Sequence, residues 1–259
     1  MGLDELLQWN ISLFVLILAR VAGIVMLSPV FGARGVPRLV KLGLAVSFTI
    51  IFYPLVAAGN PGIPTDLLPF VALLIKETVI GLVIGFVVYT FTAVLEGAGQ
   101  LIDIGMGFSM GATLDPVYGT RSSLIGGFQV ILATMILLAT NAHHYLIAAM
   151  IRSYEYIPIN TTALPSGASY YVDLVANVFA LSIQIALPVF GALILADVGV
   201  GLLSRTVPQL NIFAIIFPVK IIFGFALLLI SLPLFGESVS HLFKLNMNWV
   251  LELYQGWSQ

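Results

Sequence analysis

Long apolar runs follow one another through this chain with few charges between them, and that pattern leaves few ways to fold. They occupy roughly positions 9–27, 39–56, 67–95, 172–195 and 212–234, with a shorter run at 126–140. About 20 apolar residues in a helix cross the roughly 30 Å hydrocarbon core of a bilayer. Only 8% of the 259 residues are charged, against about 25% in a typical soluble domain. Too little polar surface remains to face water. The expected fold is therefore all-α: a hydrophobic, membrane-associated protein of about six long apolar helices arranged as interrupted hairpins. The tail, 237–255, reads as a further amphipathic helix. No soluble domain or linker breaks the sequence, so 1–259 is expected to be a single domain.

The runs are interrupted in ways that an ordinary bundle does not need. Arg20, Lys76, Glu77 and Lys220 stand inside them. An arginine at the centre of a membrane helix costs roughly 2.5–3.5 kcal/mol, so Arg20 should face protein or water, as part of an ion pair or as a snorkelling side chain. Lys76 and Glu77 are neighbours, point in different directions on a helix and need not pair with each other. Gly81 and Gly85 have the spacing of a close helix crossing. Breaker-rich connectors at 28–41 and 59–64 separate the first runs, and 152–171 and 196–211 read as loops. Arg34, Arg38, Lys41, Arg121 and Arg205 favour the first, third and fifth connectors on the cytoplasmic side, while Trp9 suits an interfacial anchor. Buried charges and broken helices fit a transporter. They equally fit a subunit whose helices pack on other subunits instead of lipid.

Residues 95–123, LEGAGQLIDIGMGFSMGATLDPVYGTRSS, stand apart. Glycine this dense is expected to prevent a stiff, uninterrupted helix. Glu96, Gln100 and Asp103 fall on one face if helix persists, forming a polar seam that lines water or meets a partner. From Gly105 onward Met106, Phe108 and Met110 alternate with glycines. Methionine adapts to varied surfaces, and an apolar constriction stops ions by dewetting. The segment is thus either a pore-facing element or the packing of a helix crossing.

Several functions are not supported. The chain has no cysteine, which removes disulfides, thiol catalysis and cysteine-bound metal. No basic patch suits nucleic acid. Asp4 and Glu5 stand where a signal peptide would carry Lys or Arg. His143-His144 lacks the spacing of a helical zinc motif. No constellation supports covalent chemistry, and neither an enzyme nor a cofactor is expected.

Two stretches carry a recognisable pattern. The first is Glu96-Gly97, Gly99, Asp103, Gly107-Phe108-Ser109-Met110 and Asp115-Pro116. The second is Leu195-Ala196-Asp197, then Arg205-x-x-Pro208-Gln209-x-Asn211-x-Phe213, then Phe217-Pro218-x-Lys220. With Arg20 and the 32–37 loop, and over essentially the whole chain, they resemble the flagellar biosynthetic protein FliR family. That family includes the equivalent subunit of virulence type III secretion systems. The resemblance implies a subunit of the export gate in the bacterial inner (cytoplasmic) membrane at the flagellar basal body. It would assemble with FliP and FliQ into a helical hetero-oligomer, associate with FlhB and membrane lipid, and pass unfolded flagellar proteins in transit. Hydrophobic spans in such an assembly need not cross the bilayer. The resemblance further implies a pore plug, here Gly105, Met106, Gly107, Phe108, Met110, Gly111, Asp115 and Pro116. A partner loop for FlhB would hold Arg205, Pro208, Gln209 and Asn211. From the residues alone, the alternative is a small-solute or ion-coupled transporter using Glu96, Asp103 and Lys76. The lack of a detectable inverted repeat weighs against it.

Overall fold

The computed structural model describes residues 11–33, 35–59, 61–64, 66–108, 123–160, 167–206 and 212–257, and their side chains except at 203–206 and 212–215. Trp9, Arg34 and Arg121 lie outside the described residues. Among those described, every regular element is a helix: α1 (Ile11–Leu27), α2 (Arg38–Ala57), α3 (Leu67–Met106), α4 (Leu124–Ala139), α5 (His143–Tyr156), α6 (Ala168–Thr206) and α7 (Ile212–Trp257). The all-α expectation holds. Four of these helices are long and apolar enough to cross a membrane, or five if the broken pair α4 and α5 counts as one span.

Helix boundaries depart from the sequence expectation, mostly towards longer helices. α3 runs unbroken for 40 residues, through Gly97, Gly99 and Gly105. Each of these glycines sits at a close contact, with Ser182, Gly126 and Phe190 respectively. Burial against another helix outweighs the roughly 1 kcal/mol that glycine costs a helix. α6 continues through 196–206, which had read as loop, because no proline interrupts it before Pro208. The sixth run and the tail form one helix of 46 residues with Pro218 and Pro233 inside it. The polar connector at 152–171 is shortened from both ends by α5 and α6. At 1.5 Å per residue, α3 and α6 are about 60 Å long and α7 about 70 Å, twice the hydrocarbon thickness.

The helices form two compact units. One comprises α1, α2, α3 up to Thr90, α5, the start of α6 up to Leu174, and α7 from Lys244. The other comprises α3 from Phe91, α4, α6 from Val175, and α7 up to Phe243.

In the first unit α1 buries Leu13, Leu16, Ile17, Arg20, Val21 and Ile24, the stripe of three- and four-residue steps that a packed helix requires. Gly81 and Gly85 of α3 meet α1 there. A Cβ on Gly81 would collide with the Arg20 carbonyl, and one on Gly85 would lie 2.8 Å from the Gly23 carbonyl oxygen. The spacing therefore serves a helix crossing, as the sequence suggested. Asn246 of α7 donates to the Val87 carbonyl at 2.8 Å and to Thr90 Oγ1 at 3.0 Å, and Tyr254 Oη donates to the Ala149 carbonyl at 2.8 Å.

The second unit packs around Ala98, Ile102 and Met106 of α3, Ile125 of α4, and Ala186, Val189 and Leu193 of α6. Much of its apolar surface has no cover. Ile222, Leu229 and Ile230 of α7 are 70–75% exposed. Of the most apolar stretch of that helix only 6% is buried. Such a surface is stable only against lipid or another apolar chain.

Candidate functional site

The second unit carries the end of α3, where the sequence changes from helix to the glycine- and methionine-bearing segment. Gly107 has φ +87°, a backbone region that side chains disfavour. Its N–H donates to the Ile104 carbonyl at 3.1 Å, and the Phe108 N–H donates to the Asp103 carbonyl at 3.0 Å. This pair of crossed bonds around a left-handed glycine is the Schellman termination. It satisfies carbonyls that the helix end would otherwise leave unpaired in an apolar setting. The helix thus stops at Gly107 and not at the glycines before it.

The residues around this turn are held by α7. Met106 is fully buried and lies across Gly224, so that a Cβ on Gly224 would stand 2.6 Å from Met106 Cγ and 2.9 Å from Sδ. A Cβ on Gly107 would stand 2.9 Å from the Phe217 ring. Phe108 is half-buried, and its ring meets Phe225 edge-on with centroids 6.3 Å apart. Gly105 is buried against Phe190 and Leu193 of α6. Met110, Gly111, Asp115 and Pro116 lie outside the described residues.

The seam residues share a helical face but not an environment. Gln100 is exposed, Glu96 half-buried and Asp103 buried. The Asp103 carboxylate accepts the Ile125 N–H at 3.2 Å, and Ser123 Oγ accepts the Gly126 N–H at 2.7 Å. Together they cap the start of α4, where a negative charge also complements the helix dipole. Gly99 and Gly126 allow the contact: their backbones touch where a side chain would not fit.

The four charges inside the apolar runs divide into two groups. In the first unit Arg20 and Glu77 are wholly buried and paired, Nε to Oε2 at 2.6 Å. Arg20 also donates to the Ser153 carbonyl at 3.0 Å, and its guanidinium lies 4.2 Å from the Tyr154 ring centroid. Lys76 donates to the Ile159 carbonyl at 2.7 Å and comes within 4.0 Å of Glu77 Oε1. These contacts tie α1, α3 and α5 together. In the second unit Lys220 of α7 pairs with Asp197 of α6 at 2.6 Å, in a partly exposed position. The pairing joins two residues of the second sequence pattern. Arg205 lies in the last turn of α6, while Pro208, Gln209 and Asn211 lie outside the described residues.

Sequence reasoning missed Ser153, Tyr154, Gly224 and Phe225, and named Phe217 only as part of the second pattern. The first two carried no signal, being a serine and a tyrosine in an ordinary amphipathic stretch. Gly224 is one more glycine in an apolar helix, and only its three-dimensional neighbour distinguishes it.

Residues 11–245 match the family described as Bacterial export proteins, family 1. The flagellar biosynthetic protein FliR of Bacillus subtilis is 31% identical over 90% of this chain and 91% of its own length. FliR of Escherichia coli is 28% identical over 96% of this chain and 95% of its own length. The Yop proteins translocation protein T of Yersinia pestis is 30% identical over 83% of this chain and 84% of its own length. The match runs through the buried charges, the capped α3–α4 junction and the end of α3 alike, and the chain belongs to the FliR family of bacterial export proteins.

Proposed function

We propose that this protein is a subunit of the flagellar type III protein export gate, helping to form and plug the channel through which unfolded flagellar proteins leave the cytoplasm. The observation that carries this reading is the similarity to FliR proteins along nearly the full length of both chains. The uncovered apolar surface of α7 supports it physically, because a membrane-embedded protein with helices longer than the bilayer needs protein partners for the excess. FliP and FliQ are the partners proposed for that surface. Arg205 at the end of α6, with Pro208, Gln209 and Asn211 beyond it, docks FlhB. The place of action is the inner membrane at the flagellar basal body.

In this reading the segment carrying Gly105, Met106, Gly107, Phe108, Met110, Gly111, Asp115 and Pro116 closes the channel. An apolar plug excludes ions when shut, and its adaptable contacts tolerate a passing chain of any sequence. Gln100 and Glu96 offer the polar face beside it, while Asp103 caps α4.

Co-purification in detergent tests the assembly. A stable complex with two small apolar partners is expected, and a lone, functional monomer would overturn the reading. Because the chain has no native cysteine, Phe108→Cys provides a single reactive thiol. It is expected to crosslink to an export substrate stalled in the channel, and a failure to do so in assembled complexes would remove Phe108 from the path. The Yersinia match favours a second reading, the equivalent subunit of a virulence secretion system. Loss of flagella on deletion of the gene separates the two.

A further inference from the structure

We infer that Phe217, Gly224 and Phe225 of α7 form a socket that fixes the root of the plug, with Met106 as the anchor seated in it. The inference rests on the plug reading above and assigns Met106 a different task within it. A residue that is fully buried in the core of the second unit does not face a channel. Its whole side chain beyond Cβ wraps the bare Cα of Gly224, with Cγ, Cε and Sδ at 2.6, 2.8 and 2.9 Å from where a Cβ would stand. The two residues that follow are held by the same helix. Phe217 covers Gly107, and Phe225 meets the Phe108 ring.

The three socket residues lie along α7 at steps of seven and one, so one helix sets the position of three consecutive plug-root residues. The Schellman bonds at Ile104 and Asp103 fix the direction in which the chain leaves α3. The socket then fixes where it leaves. Both constraints are needed to aim a glycine-rich segment, which has little conformational preference of its own. Every contact in the socket is apolar. Such contacts are non-directional, and methionine can re-enter a groove in more than one rotamer. The anchor therefore holds the root without an ionic lock that would have to be broken each time the plug moves.

A size exchange tests this in the assembled complex. Gly224→Val fills the groove that Met106 occupies. Met106→Ala removes the three atoms that would collide with it. Complexes reconstituted into liposomes loaded with carboxyfluorescein are expected to release the dye several-fold faster with Gly224→Val than with the unaltered chain. The double variant is expected to return to the slow rate. Hydrogen exchange at the Gly107 and Phe108 amides should rise in the single variant and fall again in the double. A double variant that leaks and exchanges as fast as Gly224→Val would overturn the socket, since a merely damaged helix is not repaired by trimming a residue on another one. Where Gly224→Val blocks assembly, Phe217→Ala replaces it: faster exchange at Gly107 with intact assembly is expected, and unchanged exchange would overturn the inference. Deleting 109–116 separates the two proposals. If the deletion leaks while Gly224→Val and Phe217→Ala do not, the plug stands and the socket falls. If the deletion itself does not leak, the plug reading falls.

Discussion

The two compact units differ in what holds their helices together where they are most buried. In the first, Arg20 and Glu77 bring full charges into an apolar interior and pair with each other, with further support from the Ser153 carbonyl and from the half-buried Lys76, although Arg20 Nη2 and Glu77 Oε1 keep no hydrogen-bond partner among the described residues. In the second, the corresponding work falls to close backbone contact at Gly99 and Gly126 and to Met106 lying across Gly224. A buried charge tolerates one arrangement only, because an unpaired ion in a low-dielectric interior is very costly. An apolar contact has many arrangements of similar energy. The first unit therefore suits a fixed frame, and the second suits an element that shifts. The proposed plug root belongs to the second unit, where no buried ion pair is found among the described residues.

The comparison is sharpest where one partner of the lock is removed. Glu77→Leu leaves Arg20 buried without its counter-charge and is expected to cost roughly 3–5 kcal/mol. Thermal unfolding in detergent should show a large loss. Combining it with Arg20→Met removes both charges and is expected to recover most of that loss. If the single and double variants were equally damaged, the cluster would owe its stability to packing rather than to charge, and the contrast between the units would collapse. In the second unit, Gly126→Leu forces a side chain against Ser123 Oγ and the Glu96 carbonyl. It is expected to cost about 1–3 kcal/mol, less than the ionic change because helices in an apolar contact can move apart. Asp103→Ala removes one cap of α4, for an expected loss of about 1 kcal/mol. Asp103→Asn should retain most of it. An Asp103→Ala loss as large as that of Glu77→Leu would mean that the second unit also depends on a charged lock.

The fold class was legible because charge is so scarce that the apolar runs identify themselves. Helix ends were not, and the reason is the same in each case. A glycine weakens an isolated helix, yet at a crossing it is what lets two helices approach. Gly97, Gly99 and Gly105 read as breaks and proved to be contacts, while Gly107, of the same type and in the same run, ends the helix. The difference lies in the neighbours on α4, α6 and α7, which no local pattern encodes. Arg20 announced itself as a residue in need of a partner, and Glu77 was visible as a candidate. Ser153 was not, since its shorter contact to Arg20 is through a backbone carbonyl that any residue supplies, with the hydroxyl accepting at 3.4 Å. At the candidate site, the run from Gly105 to Phe108 was readable as special, but the sequence gives no sign that Met106 points into the core.

The lengths of α3, α6 and α7 carry a consequence for the life of the chain before assembly. Each is about twice as long as the bilayer's apolar layer is thick, and steep tilt or thinned lipid accommodates only part of such an excess. A newly made copy without its neighbours has no environment in which all of its greasy surface is at rest. Surveillance proteases act on chains in that condition. A copy produced in cells lacking the other gate subunits is therefore expected to be short-lived in a pulse–chase measurement and to be rescued when they are supplied. Its abundance would then follow the supply of neighbours, so that synthesis in excess leads to turnover and not to stray pores.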